Sequence, residues 1–224
     1  MPAEALSEAG AKRLLAEHGL PVLPEHVCTD EAQARAAQRA VGGPVVAKIL
    51  SPDIAHKTEI GGVMLDIASE DEAAAAYRTL LARARERAPS ARIEGVLIAP
   101  MAGPGVETVL GVHQDATFGP MMMFGLGGVA LELFKDVAFA SAPLTPERAR
   151  GLIERVRASR LLTGWRGQPA LDVDAVVQAL VDLSAFAVRH AASIEGIDVN
   201  PLLVRQQGAV ALDAVISVRP AAVA

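Results

Sequence analysis

Three oxygen-bearing side chains near the end of the chain, Asp198, Asn200 and Asp213, have the types and spacing to hold a cation. Asp198 and Asn200 are two apart in the strand-like run 197–204, so they point to one face. A second strand-like run, 209–218, follows the turn Arg205-Gln206-Gln207-Gly208. Pairing Val204 with Ala209 in a hairpin places Asn200 directly opposite Asp213, and directly opposed residues share a face. Two carboxylates and an amide then converge among Ile197, Val199, Leu202, Leu203, Val210 and Leu212. Either this face meets solvent, or a hard divalent cation such as Mg2+ compensates the carboxylates. Such an ion takes oxygen ligands from one or two carboxylates together with substrate phosphate. A one-residue bulge at Gly208 would shift the register and undo the convergence.

Lys48 is the second candidate. It lies within the apolar run Val45–Leu50, where an ammonium needs an anion or a route to water. A nucleotide phosphate would serve. In the following loop, 51–62, Lys57, Thr58, Gly61 and Gly62 either present charge and backbone donors to phosphates or form an ordinary turn. His56 in the same loop is either a solvated surface residue or a catalytic one. His18, His26, His113 and His190 are scattered without metal-ligand spacing. The phosphate loop of the Walker type and the serine-hydrolase elbow are absent, and Gly125-Leu126-Gly127-Gly128 lacks the spacing of a dinucleotide fingerprint.

The elements that must position these residues alternate between helix and strand. Ser7 to Gly19 reads as an amphipathic helix, and a second helix starts at Thr29 or Asp30 and ends before Gly42-Gly43. Val63, Leu65 and Ile67 alternate as a strand does, and Ser69-Glu70-Asp71-Glu72 is a capping box for a helix that ends before Pro89. Strands are expected at 96–99, 108–112 and 121–124. Helices are expected after Thr145-Pro146 and Asp172, with the hairpin closing the chain.

Composition removes whole classes of function. The 224 residues include only 3% aromatics, which argues against a base-stacking surface, and 51% hydrophobics, which suffice for a sizeable core. A net charge of −5 argues against binding nucleic acid or an anionic membrane. The longest uncharged run, Ala116 to Leu131, has 16 residues with glycine and proline inside it, too short and broken for a bilayer span. Cys28 is the single cysteine and the N-terminus has no signal-peptide core, so a reducing, cytoplasmic location is expected.

Taken together, the motifs resemble those of a known family. Pro44-Val-Val-Ala-Lys48-Ile, Ser51-Pro-Asp-Ile-Ala-His56-Lys57-Thr-Glu-Ile-Gly61-Gly62, Gly105-Val-Glu107, Phe118-Gly-Pro, Phe124-Gly-Leu-Gly-Gly128, Gly164-Trp-Arg-Gly167 and Asp198-Val-Asn200-Pro follow one another in the chain. They are similar to the ATP-grasp β subunit of ADP-forming acyl-CoA synthetases, relatives of the succinyl-CoA synthetase β subunit. The resemblance implies an α+β ATP-grasp fold of two subdomains with nucleotide in the cleft between them. Residues 21–95 would form the smaller subdomain, and 1–20 with 96–224 the larger.

Site roles also follow from the resemblance alone. It implies that Lys48 meets ATP phosphate and that the backbone of Ile98, Ala99 and Met101 holds adenine. Glu107 would contact the ribose, and Gly61 and Gly62 would belong to a loop closing over the phosphates. Asn200 and Asp213 would bind Mg2+, with Asp198 the acidic residue beside a phosphorylated histidine. His56 would itself be phosphorylated and relay the phosphoryl group between ATP/ADP and a CoA-binding α subunit. That partner would carry a second phosphohistidine, in a hetero-oligomer catalysing acyl-CoA + ADP + phosphate ⇌ carboxylate + CoA + ATP. Ala140 stands where some relatives have an arginine, so that phosphate contact is not carried over. The alternative is a non-catalytic ATP-binding regulatory domain of a fused acyltransferase.

Overall fold

A computed structural model describes residues 4–54, 56–128 and 135–219, and Ala55 of the His56 loop lies outside the described residues. The elements run β1 (Glu4–Ala5), α1 (Glu8–Ala16), β2 (His26–Cys28), α2 (Glu31–Val41), β3 (Val45–Leu50), β4 (Val63–Ile67), α3 (Glu70–Arg87) and β5 (Gly95–Pro100). They continue with β6 (Val106–Asp115), β7 (Gly119–Leu126), β8 (Val137–Ser141), α4 (Pro146–Glu154), a 3-10 turn (Arg157–Leu161), α5 (Val173–Arg189), β9 (Ile194–Val204), β10 (Ala209–Ala211) and β11 (Ala214–Val218). The chain divides into two compact units. One comprises residues 7–9 and 23–103, the other 1–6, 10–22 and 104–224.

The first unit is a four-stranded antiparallel sheet in the order β2-β5-β3-β4, covered by α2 and α3. Both helices begin where short polar side chains take the first free backbone N–H groups. Asp30 accepts from Gln33 N at 2.7 Å, and Ser69 accepts from Glu72 N at 3.2 Å. Their small faces, Ala34, Ala37, Ala73 and Ala76, let Ile49, Tyr77, Leu80 and Ile98 close the core against the sheet. β5 is a central strand here, paired with β3 from Val45↔Pro100 to Leu50↔Gly95 and with β2 from His26↔Ile98 to Cys28↔Val96. This moves the division between the units. The expected boundary at residue 95 would cut β5 from the sheet that holds it, because a strand's own residues do not say which sheet it completes.

The second unit is a seven-stranded antiparallel sheet whose main path is β1-β11-β9-β6-β7-β8, with β10 paired to β9. One face packs on α4 and α5, where Leu110, Met122, Phe124, Leu180, Phe186 and Leu202 are buried together. Asp172 fastens the start of α5 to the terminal hairpin. It accepts from Ala175 N at 3.0 Å and from Gly208 N at 2.8 Å, and its own N–H donates to Arg205 O at 2.8 Å. Those two accepted bonds, Gly208 first, hold its carboxyl below the ordinary value. No helix among the described residues is long and apolar enough to cross a membrane.

Candidate functional site

Lys48 points from β3 to an anion, and that anion is Glu8. The Lys48 ammonium donates to Glu8 Oε1 at 3.0 Å, and Lys57 Nζ lies 3.0 Å from Glu8 Oε2. The Glu8 side chain is only 2% exposed, Lys57 7% and Lys48 15%, so one carboxylate serves two largely buried cations. The need for an anion was legible in the apolar run around Lys48. Its source was not, because Glu8 is 40 positions away.

The loop carrying His56 is fastened on the far side of that histidine. Lys57 is held by its side chain on Glu8 and by its carbonyl, which accepts from Gly62 N at 2.7 Å. Ile49 N in turn donates to Gly62 O at 2.8 Å, joining the turn to β3. A Cβ on Gly62 would stand 2.8 Å from both Lys57 O and Ile49 Cγ2, so this close return requires glycine. Gly61 adopts φ +63 and its carbonyl accepts from Arg83 Nη1 at 2.9 Å, a tie to α3. His56 stays exposed to solvent while its neighbour is buried.

At the terminal hairpin the register is the expected one. Val204 pairs with Ala209 and Asp198 with Val215, and between them Asn200 N donates to Asp213 O at 3.2 Å. Gly208, at φ +75, makes the turn without a bulge. Ile197 and Val199 are buried on the inner face, whereas Asp198 and Asn200 are exposed and Asp213 is half-buried. Asp198 and Asn200 therefore do not stand among those apolar neighbours, whereas one carboxylate oxygen of Asp213, Oδ1, is buried. Desolvation, and secondarily the charge of Asp213, raise the Asp198 carboxyl above its ordinary value, a cost that a cation would relieve. Among the described residues no three His, Cys, Asp or Glu side chains group as a metal centre. The donor set is two carboxylates and an amide, all hard oxygen ligands, and it fits Mg2+ rather than a softer metal.

The remaining predicted residues lie on strands and at strand ends. Ile98 and Ala99 are buried in β5, and Met101 N donates to Pro44 O at 3.1 Å. β2 pairs no further than Ile98, so on that side Ala99 and Met101 have no strand neighbour among the described residues. Glu107 is exposed near the start of β6, with Gly127 N donating to its carbonyl at 2.8 Å. A Cβ on Gly127 would press on Glu107 at 3.1 Å, and one on Gly128 would lie 3.3 Å from Glu107 Oε2. The glycines of the Phe124–Gly128 motif thus give the Glu107 carboxylate its room. Ala140 sits half-buried on β8, against the core of the second unit.

Two further charged residues lie outside those motifs. Glu8 and Lys12 are both buried on α1, and with Ala11 and Leu15 they form one stripe at helical spacing. Lys12 Nζ donates to Leu212 O at 2.9 Å, immediately beside Asp213. Charges lying in phase with Ala11 and Leu15 were the available signal.

Two mixed α and antiparallel units, a lysine on a sheet strand and an oxygen cluster on a second sheet define an ATP-grasp protein. Residues 2–218 match the family described as ATP-grasp domain. The chain is 38% identical to the β subunit of acetate–CoA ligase (ADP-forming) I of Pyrococcus furiosus, over 93% of this chain and 90% of that one. It is also 38% identical to acetate–CoA ligase (ADP-forming) I of Archaeoglobus fulgidus, matching over 94% of this chain, but it spans only 31% of that protein's length. The acetyl-coenzyme A synthetase 1 of Ca. Korarchaeum cryptofilum, solved with coenzyme A, Ca-AMPCP and HgCl+, superposes with a TM-score of 0.93 at 39% identity, covering 96% of this chain and 94% of that one. In a second structure of that synthetase, with coenzyme A and Mg-AMPPCP, the phosphohistidine segment points towards the nucleotide binding site. That one superposes with a TM-score of 0.84 at 36% identity, covering 96% of this chain and 93% of the other. The chain belongs to the ATP-grasp domain family, on the branch of the β subunits of ADP-forming acyl-CoA synthetases.

Proposed function

We propose that the chain is the nucleotide-handling subunit, or part, of an ADP-forming acyl-CoA synthetase and carries a phosphoryl group on His56. The observation that carries this reading is an exposed imidazole set immediately before Lys57, whose ammonium shares the Glu8 carboxylate with Lys48. In the direction that consumes ATP, an imidazole nitrogen attacks the γ-phosphorus. The N–P bond forms, the bond to the β,γ-bridging oxygen breaks and ADP leaves with the electron pair. Lys48 offsets charge on the transferring group, which needs positioning and screening more than covalent help.

The other residues bind. The backbone of Ile98, Ala99 and Met101 holds adenine, Glu107 takes the ribose, and Gly61 and Gly62 close beside the phosphates. Asn200, Asp213 and Asp198 would hold Mg2+, which when bound supplies charge screening of the phosphates. The partner is a CoA-binding α subunit with a second phosphohistidine, in a cytoplasmic hetero-oligomer. The naming of the Pyrococcus relative as a β subunit and the coenzyme A in the Korarchaeum structures support a CoA-binding partner.

The test is a pair of measurements on one variant. His56→Ala should bind Mg-ATP with near-normal affinity by calorimetry, yet lose acyl-CoA formation when mixed with the CoA-binding partner. Full turnover by His56→Ala would leave His56 an ordinary loop residue.

A further inference from the structure

Glu8 lies between the two residues assigned to phosphoryl chemistry: one of its oxygens meets Lys48, and the other meets Lys57, the residue after His56. The side chain is 2% exposed, and an uncompensated carboxylate at that depth would be costly, so the two ammoniums offset its charge, Lys48 through a hydrogen bond and Lys57 as an ion pair. Lys57 itself is 7% exposed and its carbonyl is taken by Gly62 N, so main chain and side chain are pinned together. His56 is exposed, as are Thr58 and Glu59, and the His56 carbonyl accepts from Glu59 N at 3.2 Å. At the start of the segment before it, Asp53 N donates to Ser51 Oγ at 3.1 Å and Arg92 N to Asp53 Oδ2 at 2.7 Å.

We propose that Glu8 is a positioning residue that registers Lys48 and the His56 turn to one point. One carboxylate oxygen fixes the phosphate-facing ammonium, and the other fixes, through Lys57, the base from which the imidazole projects. A neutral amide at this position keeps the size of the side chain but removes the charge that both lysines share. The turn would then lose its side-chain anchor while keeping the Gly62 hydrogen bond. The phosphoryl-transfer part of this inference rests on the reading of His56 as the phosphorylated residue. The anchoring part does not.

The experiment compares the full chain with Glu8→Gln and with Lys57→Met, which leaves the Lys48–Glu8 pair in place. Amide hydrogen exchange is followed in the segment 51–62 and in β3 and β5. In both variants exchange should rise about tenfold in the segment, with β3 and β5 unchanged in Lys57→Met, because a local anchor has been lost. Unchanged exchange in the segment in both variants overturns the proposal whatever His56 does. The second readout is single-turnover phosphorylation from Mg-ATP, expected to fall about a hundredfold in Lys57→Met while Mg-ATP affinity changes less than about fivefold. Equal losses of rate and affinity that track the melting temperature would make Glu8 and Lys57 merely structural. If the unaltered chain takes no phosphoryl group, the reading of His56 fails, and the exchange measurement still decides the anchor.

Discussion

The two charged clusters of this protein were built in opposite ways. The Glu8–Lys48–Lys57 cluster is buried, its charges face one another, and its members come from α1, β3 and the loop after β3. The Asp198–Asn200–Asp213 cluster has Asp198 and Asn200 exposed and Asp213 half-buried, its two acids repel, and all three members come from one hairpin. The first is held together by its own complementarity and contributes to the fold. The second is held together by the backbone under it, and its excess negative charge is left for something that binds.

That contrast can be broken at several points. The largest effect is expected at Glu8: Glu8→Ala should lower unfolding stability by about 3–5 kcal/mol in urea, because two buried ammoniums lose their common carboxylate. A change under about 1 kcal/mol would mean that the cluster is solvated and that the contrast with the hairpin is false. Next comes the fastening of the hairpin. Asp172→Ala removes acceptors for both Ala175 N and Gly208 N and should cost about 1 kcal/mol, the usual loss for a helix cap.

The smallest effect concerns Asp198. Its carboxyl is raised, so the folded chain binds this proton more readily than the unfolded chain does, and the charged form opposes folding at neutral pH. Stability from this group therefore increases as pH falls through the raised value towards the ordinary carboxylate range. Asp198→Asn should lose that increase and be no less stable than the parent at neutral pH, within about 0.5 kcal/mol. Thermal melts of the two chains across acidic pH check the sign. A variant that loses stability only at neutral pH would show that Asp198 makes a favourable pair instead.

The same contrast explains what could be read from the residues. The hairpin is local: once Val204 faces Ala209 the pairs after it follow, and the structure keeps that register from Ala211↔Leu202 to Ser217↔Gly196, with a shift only at Val218↔Ile194. Helix starts were legible for the same reason, since Asp30, Ser69, Thr145 and Asp172 each bond a backbone N–H three residues on. Glu8 was not legible as the partner of Lys48, because only tertiary structure brings together residues so far apart in the chain. The short strands β2 and β8 were also missed. With three and five residues they carry too little alternation to separate from loop, and the sheet supplies the rest of their stability. The neighbours of β5 followed from pairing, which its apolar run alone does not specify.

If His56 takes a phosphoryl group from ATP, the imidazole must carry it as an N–P adduct. After incubation with Mg-ATP and tryptic digestion at neutral pH, the peptide Ile49–Lys57 should gain the mass of one phosphoryl group. The label should be lost in acid, kept in base and absent from His56→Ala, which separates it from an ester on Ser51. An unmodified peptide under conditions where Mg-ATP is bound, or an acid-stable phosphate at another residue, would exclude His56 as the acceptor.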